Sequence, residues 1–389
     1  MKIEEAQKHL QQKHLDGWLL YDFHRNNDLA HRFLEISSKK MTTRRFFYWI
    51  PAQGDPVRLV HAIESEVLDG WPGKKEMFSS WQSLEEKLGT LLKGKRKIAM
   101  EYSPKNAIPY VSKVDGGTID LIRSFGVEVV SSADFLLYFT SVLTDEQIES
   151  QKRAARAMEK TVRGAWDFIA QSLKQGKTIR ECDVERQILE AFKRANIVAE
   201  SGPIVAVNEH SADPHYMTGS TEIKKGDFIL IDLWGKEKGE KTIFGDITRV
   251  AVADRKPSRK QEEVFRVVRN GQKAAIELVK KRFTQKEEIQ GWEVDEAARS
   301  VIREAGFGEF FIHRTGHNIE VELHGSGTHM DNLEMHDVRP LIPRTCFSVE
   351  PGIYLPGEFG VRLESDVIIH RDGTVEVTGG EEEDLLLLM

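Results

Sequence analysis

Apolar residues recur along this chain with two spacings, and the change from one to the other marks its elements. Ile3, Ala6 and Leu10 lie one helical turn apart and predict a short amphipathic helix over residues 2–15. Gly17-Trp18-Leu19-Leu20-Tyr21 carries no charge and reads as a buried strand. Residues 45–50 and 57–61 predict a strand pair, turned by residues 51–56 around Gly54-Asp55. Further strands follow at 97–101 and 127–130 with a helix near 115–124 between them, and Phe135, Leu136, Phe139 and Val142 predict a short apolar helix over 131–143. Strands alternating with helices on this scale predict an α/β unit.

From residue 144 the helices lengthen. Three capping boxes, Thr144 to Gln147, Thr178 to Glu181 and Ser258 to Gln261, set a hydroxyl three residues before a Glu or Gln and so predict helix starts. Met158, Val162, Ala165, Ile169 and Leu173 stripe the first helix; Val184, Ile188 and Phe192 the second; Val264, Val268, Ala275 and Val279 the third. A fourth is predicted over about 294–305, ended by Gly306. Strand-like runs occupy 204–207, 227–232, 247–252, 310–313, 345–350 and 362–369. Helix pair, strands, helix pair, strands: the order predicts a pseudo-repeat. A boundary at the first capping box divides the chain into 1–143 and 144–389, and the stretch 379–384 with the leucines after it reads as a frayed end.

Composition narrows the class. The 389 residues are 40% hydrophobic and 30% charged with a net charge of −7 and interspersed signs, the profile of a globular domain pair without a nucleic-acid face. Cys182 and Cys346 predict reduced thiols, and with no apolar leader core and no apolar run of 18 residues the expected setting is the cytoplasm, away from membranes.

Four acids stand where strands should be apolar. Asp232 ends Phe228-Ile-Leu-Ile, Asp246 precedes Ile-Thr-Arg249, Glu350 ends Cys346-Phe-Ser-Val, and Glu364 sits within Val361-Arg-Leu-Glu-Ser-Asp-Val. A charge at such a position must be exposed or paired. With His313, His317 and His324 nearby in sequence they form the raw material of a two-metal site. Oxygen-rich sites with one imidazole suit hard divalent ions, Mn²⁺ first, with Zn²⁺, Co²⁺ or Fe²⁺ as competitors. Two such ions roughly 3.5–4 Å apart can share a bridging hydroxide, so the nucleophile comes from solvent. Serine chemistry fits poorly, since Gly325-Ser326-Gly327 has the wrong frame for a nucleophile elbow, and neither a His-Glu-x-x-His helix nor a phosphate-cradling loop occurs.

With these residues assembled, the chain over about residues 150–375 resembles the pita-bread metallopeptidases, which include aminopeptidase P, prolidase, methionine aminopeptidase and creatinase. The resemblance rests on Asp232 with Asp246-Ile-Thr-Arg, His313-x-x-Gly-His317 with His324, Ser348-Val-Glu-Pro-Gly and Gly360-Val-Arg-Leu-Glu364, in the family's order. It implies an α+β chain: a curved antiparallel sheet flanked by helices with pseudo-twofold symmetry, preceded by a smaller α/β domain of the creatinase, prolidase and aminopeptidase P branch. It implies that Asp232 chelates one metal, Asp246 and Glu364 bridge two, and His317 and Glu350 bind the other, with Glu350 also the general base. By the same resemblance His313 and His324 would stabilise the tetrahedral intermediate and hold the proline-side carbonyl, His215 would bind substrate, Arg362 would orient the carboxylates or contact substrate, and Thr248 would support the bridging group.

Departures from the family pattern bear on substrate detail. Asp232 and Asp246 lie fourteen residues apart, wider than the family's usual gap, with residues 236–241 read as a longer turn; Glu320 stands where the family has a small residue, and Gly325 where an acid is common. The implied activity is hydrolysis of peptides with proline at the second position, by a homodimer. Dipeptidase and aminopeptidase both stay open. A metal-free creatinase-like C–N hydrolase and a non-catalytic binding module on the same scaffold are the other readings, and the intact set of metal-ligand positions counts against both.

Overall fold

Six residues in a row, Gly17–Asp22, form a strand buried along its whole length, and the first of two structural units is laid out around it. The computed structural model describes residues 2–389, and the chain divides after Thr140 into this unit and a second, Ser141–Met389. In chain order the first unit contains α1 (Lys2–Gln12), β1 (Gly17–Asp22), α2 (Asp28–Phe33), β2 (Phe46–Pro51), β3 (Val57–His61), β4 (Lys74–Phe78), α3 (Trp81–Leu92), β5 (Lys97–Met100), α4 (Gly116–Ser124), β6 (Glu128–Ser131) and α5 (Ala133–Thr140). The strands order β4-β3-β2-β1-β5-β6, and only β2 runs antiparallel to its neighbours. Leu19, Tyr21, Phe47 and Trp49 face α3 and α4 through Leu84, Leu88, Ile119 and Ile122. On the opposite face Trp18 packs edge-on against Phe33 and Phe135 of α2 and α5. Two covered faces explain the unbroken apolar runs. Sequence patterning missed β4, whose Lys74-Lys-Glu sequence is that of a charged edge strand, and α2 and α3.

The second unit contains α6 (Asp145–Lys174), α7 (Glu181–Ala195), β7 (Ile197–Val198), β8 (Ile204–Val207), β9 (Phe228–Glu237), β10 (Gly245–Val252), α8 (Arg259–Gln285), α9 (Gly291–Glu304), β11 (Asn318–Ile319), β12 (Thr345–Val349), β13 (Gly352–Leu355), β14 (Phe359–Arg362), β15 (Ser365–Ile369), β16 (Val375–Thr378) and β17 (Leu386–Leu387). One half-sheet runs β17-β10-β9-β7, with β8 also on β9; the other runs β11-β12-β15-β16. The pair α6 and α7 covers Ile229, Ile231, Leu233 and Ile247 of the first half, and α8 and α9 cover Phe347, Val349, Val367 and Ile369 of the second. The half-sheets join where Glu364 N–H donates to the Thr248 carbonyl (3.2 Å). A helix pair on a half-sheet, twice over, is the mixed α/β arrangement of the pita-bread fold.

Several expectations need correcting. The second long helix does not begin at Thr178: its N-cap is Arg180, and Glu181 turns inward instead of back toward a cap. The fourth starts at Gly291, earlier than its stripe suggests, because Gln290 and Glu293 form the capping box. Residues 310–313 are not a strand; a 3-10 turn covers Gly308–Phe310, and the carbonyls of Phe311 and His313 accept from Arg299 instead of a ladder. The run 362–369 breaks at Leu363-Glu364 between two strands. The tail is not frayed: β17 pairs parallel to β10, Leu388 joins the α6–α7 core, and Arg249 donates to the carbonyls of Gly379 (2.5 Å) and Gly380 (2.7 Å). Four leucines without period gave no signal for it. Among the described residues both cysteines are free, and no helix is long and apolar enough to cross a membrane.

Candidate metal centre

Strand alternation puts the acids on one side. Residues of β9 and β10 with the parity of Ile231 face α6 and α7, so Asp232, Asp246 and Thr248 face the opposite way, and the register sets Asp232 directly across from Thr248. Gly245 is required here, because α6 passes so close that a Cβ would lie 2.5 Å from Ala155 N. In the second half-sheet Phe347 and Val349 face α8 and α9, so Ser348 and Glu350 face away from them. Continuing the β12–β15 register beyond Val349 and Ser365 brings Glu350 opposite Glu364. His317 enters alongside β12, its carbonyl accepting from Ser348 N–H (2.9 Å). The preceding Gly316 permits that approach, since a Cβ there would stand 1.9 Å from the Ser348 carbonyl oxygen.

The result is a convergence of acceptors. Asp246, His317 and Glu364, all buried, each offer a ligating atom within 4.8 Å of the others. His317 Nε2 lies 3.5 Å from Asp246 Oδ2 and 3.5 Å from Glu350 Oε1. Burial, then the neighbouring His324, holds the His317 pKa well below its ordinary range, so the ring is neutral. The contact of Nδ1 with the Asn318 carbonyl (3.3 Å) assigns the proton to Nδ1 and the lone pair to Nε2. Asp232 joins through Arg362, whose Nη2 donates to Asp232 Oδ2 and whose Nε donates to Thr248 Oγ1 (3.1 Å); that hydroxyl donates to Glu364 Oε2 (2.7 Å).

A divalent cation fits these residues. Asp232 Oδ1, Asp246 Oδ1 and Glu364 Oε1 are buried without a hydrogen-bond donor among the described residues. Leaving a buried acceptor unmet costs about 1–3 kcal/mol, more for a charge. Burial first, and then mutual repulsion, drives Asp246 and Glu364 well above the usual carboxylate range; Glu350, mostly buried, is pushed to about 7. A cation among them meets the open acceptors, offsets the repulsion and brings the three carboxyl pKa values back down.

The other candidates lie around this group. His313 is neutral, its pKa lowered to about 3 by burial and then by Arg362, and both nitrogens are engaged: Nδ1 with the Arg314 carbonyl and Nε2 with Tyr354 Oη, each at 2.7 Å. Arg362 Nη1 donates to the same Tyr354 oxygen (3.0 Å), so Arg362 is directed at protein groups, not outward. The His324 ring stands 4.2 Å from that of His317, its pKa lowered to about 4 by burial, then by Arg314 and His215. His215 is exposed, on a turn where its N–H donates to Asp213 Oδ1 (3.0 Å), and it is near enough to His324 to help lower that ring's pKa.

Sequence reasoning passed over Tyr354, Asp366, Gln151 and His329. Asp366 Oδ2 accepts from Asp246 N–H (3.0 Å) and Gln151 Nε2 (2.6 Å), fixing the Asp246 main chain. Its signal was available, two residues beyond Glu364 and so of the same strand parity. His329 is fully buried, with Nδ1 accepting from Asn318 N–H (3.2 Å).

Known proteins place this arrangement. The Xaa-Pro dipeptidase of Pyrococcus furiosus is 32% identical over 242 residues, 62% of this chain and 64% of that protein. In structure, dipeptidase PepE from Mycobacterium ulcerans matches with a TM-score of 0.71 at 22% identity, over 100% of this chain and 97% of that one. The prolidase from Pyrococcus horikoshii matches with a TM-score of 0.63 at 22% identity, over 99% of each chain. Both likenesses are of fold. Residues 149–371, which contain every acid and histidine described above, match metallopeptidase family M24, and to that family this chain belongs.

Proposed function

We propose that this chain hydrolyses peptides with proline in the second position, as an Xaa-Pro dipeptidase or Xaa-Pro aminopeptidase, with divalent metal held by Asp232, Asp246, His317, Glu350 and Glu364. The observation that carries the reading is the set of three donor-less buried carboxylate oxygens beside the lone pair of a neutral His317. The substrate class is supported by the name of the 32% identical Pyrococcus relative. A pair of ions is the reading, Mn²⁺ foremost, because hard oxygen donors outnumber the single imidazole. Bound metal supplies Lewis acidity toward the scissile carbonyl and acidifies water.

The chain's own residues do the rest. Glu350, with Ser348 Oγ donating to its Oε1 (3.2 Å), takes a proton from the attacking water and returns it to the leaving nitrogen. His324, neutral beside the centre, offers an N–H to a carbonyl oxygen of the substrate, and exposed His215 approaches the substrate from the same side. His313 acts through Tyr354, whose hydroxyl, its pKa raised to about 12 by burial, stays protonated and links it to Arg362. Arg362 holds Asp232 and, through Thr248, Glu364 in ligand geometry. The free thiols accord with a reducing compartment, the cytoplasm.

The test is release of free amino acid from Ala-Pro and from a longer Xaa-Pro peptide, with Mn²⁺ added and after chelation. Metal-dependent cleavage of the dipeptide alone makes the protein a dipeptidase; cleavage of the longer peptide makes it an aminopeptidase. A metal-loaded protein that cleaves neither refutes the substrate class.

A further inference from the structure

The segment from Phe311 to Thr315 carries His313 and leads into His317, yet it belongs to no strand. Three of its backbone groups go instead to one pair of side chains on α9. Arg299 Nη1 donates to the Phe311 carbonyl (3.0 Å) and Nη2 to the His313 carbonyl (2.8 Å), while Asp295 Oδ1 accepts from Thr315 N–H (2.8 Å). These groups lie on alternate residues of a segment that bends at His313 and Thr315, so side chains meet them in place of a ladder.

Asp295 and Arg299 stand four apart, one above the other on the helix. The guanidinium meets the carboxylate in a two-point fork, Nε to Oδ2 at 2.9 Å and Nη2 to Oδ1 at 3.0 Å. Asp295 is fully buried, and its Oδ2 also accepts from Asn332 N–H (3.1 Å). The guanidinium lies over the Phe311 ring (4.1 Å), and Phe311 meets the His313 ring edge-on at 5.3 Å. Arg299 thus reaches His313 by two routes, the backbone and the aromatic contact. The Thr315 carbonyl is in turn tied to the end of β12, accepting from Glu350 N–H (2.7 Å).

We infer that Asp295 and Arg299 form a positioning unit for the metal centre: a side-chain substitute for a missing strand that sets where His313 and His317 stand. The inference rests on the reading of those two histidines as site residues. A buried ion pair is by itself weak evidence of stabilisation. What is specific here is the planar fork, which holds two carbonyls and a carboxylate together; lysine keeps the charge but has no fork.

The experiment titrates purified full-length wild type, Arg299→Lys and Asp295→Asn with Co²⁺ as the probe ion. It records the visible absorption band and affinity, the urea midpoint, and kcat and KM on Xaa-Pro peptides. Both variants are expected to bind Co²⁺ about 10–100-fold more weakly with an altered band, the usual effect of losing a residue that orients a ligand. Arg299→Lys is expected to lower kcat more than it changes KM, and to lower it by a smaller factor in a His313→Ala background. Unchanged Co²⁺ affinity and band in both folded variants, or kcat losses that add to that of His313→Ala, would overturn the inference in favour of a purely structural pair. A wild type that binds Co²⁺ but cleaves no Xaa-Pro peptide refutes only the substrate reading, leaving the Co²⁺ comparison decisive; a wild type that binds none refutes both.

Discussion

Glu101 is an acid at the end of β5, fully buried in the first unit, and its titration makes that unit's stability depend on pH. It has three donors: Trp18 Nε1 (2.5 Å) and Ser132 Oγ (3.2 Å) to Oε1, and Asn27 Nδ2 (2.8 Å) to Oε2. They do not offset desolvation, which leads and pushes the pKa from 4.5 to about 7. Between those values the folded unit holds a proton that the unfolded chain has released. The contribution of this group is therefore fully present below about pH 4.5 and falls as pH rises toward 7. A shift of this size corresponds to about 3 kcal/mol, lost as pH rises from about 4.5 to about 7. Glu101→Gln removes the titration but places an amide N–H₂ among donors, a constant penalty of about 1–2 kcal/mol at every pH. The variant should thus be less stable than wild type at pH 5 and more stable at pH 8, the difference between the two proteins changing by about 3 kcal/mol. Other titrating groups cancel in that difference. Urea unfolding followed by tryptophan fluorescence suits the measurement, since Trp18, Trp49, Trp71 and Trp81 all report from this unit. If the two stability curves run parallel from pH 5 to 8, Glu101 is ionised in the fold and the reasoning fails.

Three further outcomes follow from the second unit. Chelation should lower the melting temperature and Mn²⁺ at 100 times its Kd should restore about 2.7 kcal/mol, with Asp246→Asn showing neither effect; melts indifferent to metal in the wild type would speak against the site. Glu350→Gln should keep its fold by circular dichroism while kcat falls about 100-fold or more, and an undiminished kcat with metal retained would remove Glu350 as the base. Leu388→Ala should cost about 2–3 kcal/mol by urea unfolding, because that side chain is packed against the α6–α7 core and its N–H donates to the Val252 carbonyl (3.0 Å); a cost below 0.5 kcal/mol would mean that the tail is undocked in solution.

Glu181 shows why part of this molecule was legible in sequence and part was not. Thr144 to Gln147 and Ser258 to Gln261 form the capping boxes their sequences predict, because nothing else competes for those side chains at the surface. Thr178 to Glu181 has the same pattern and a different outcome. The Glu181 carboxylate is buried, and Oε1 accepts from Val207 N–H (3.0 Å) and meets His210 Nδ1 (2.9 Å), while Oε2 accepts from Tyr216 Oη (2.9 Å) and Thr221 N–H (3.2 Å). A local cap was outweighed by four partners up to forty residues away, on β8 and in the segment after it that carries His215. The same competition erased the strand expected at 310–313, whose carbonyls Arg299 accommodates. Elements were readable where local preference and tertiary demand agree, as along β9 and β10, where strand parity alone separates the residues that face the helices from those that face the acids. Around the centre the chain departs from its local rules, because histidine-bearing loops there must be held in place by buried carboxylates instead of by a ladder. Those departures are thus a guide to function in themselves: Glu181 and Asp295, each a buried acid engaged with backbone N–H groups, lie at the two places where a histidine-bearing segment needs an anchor that regular secondary structure does not provide.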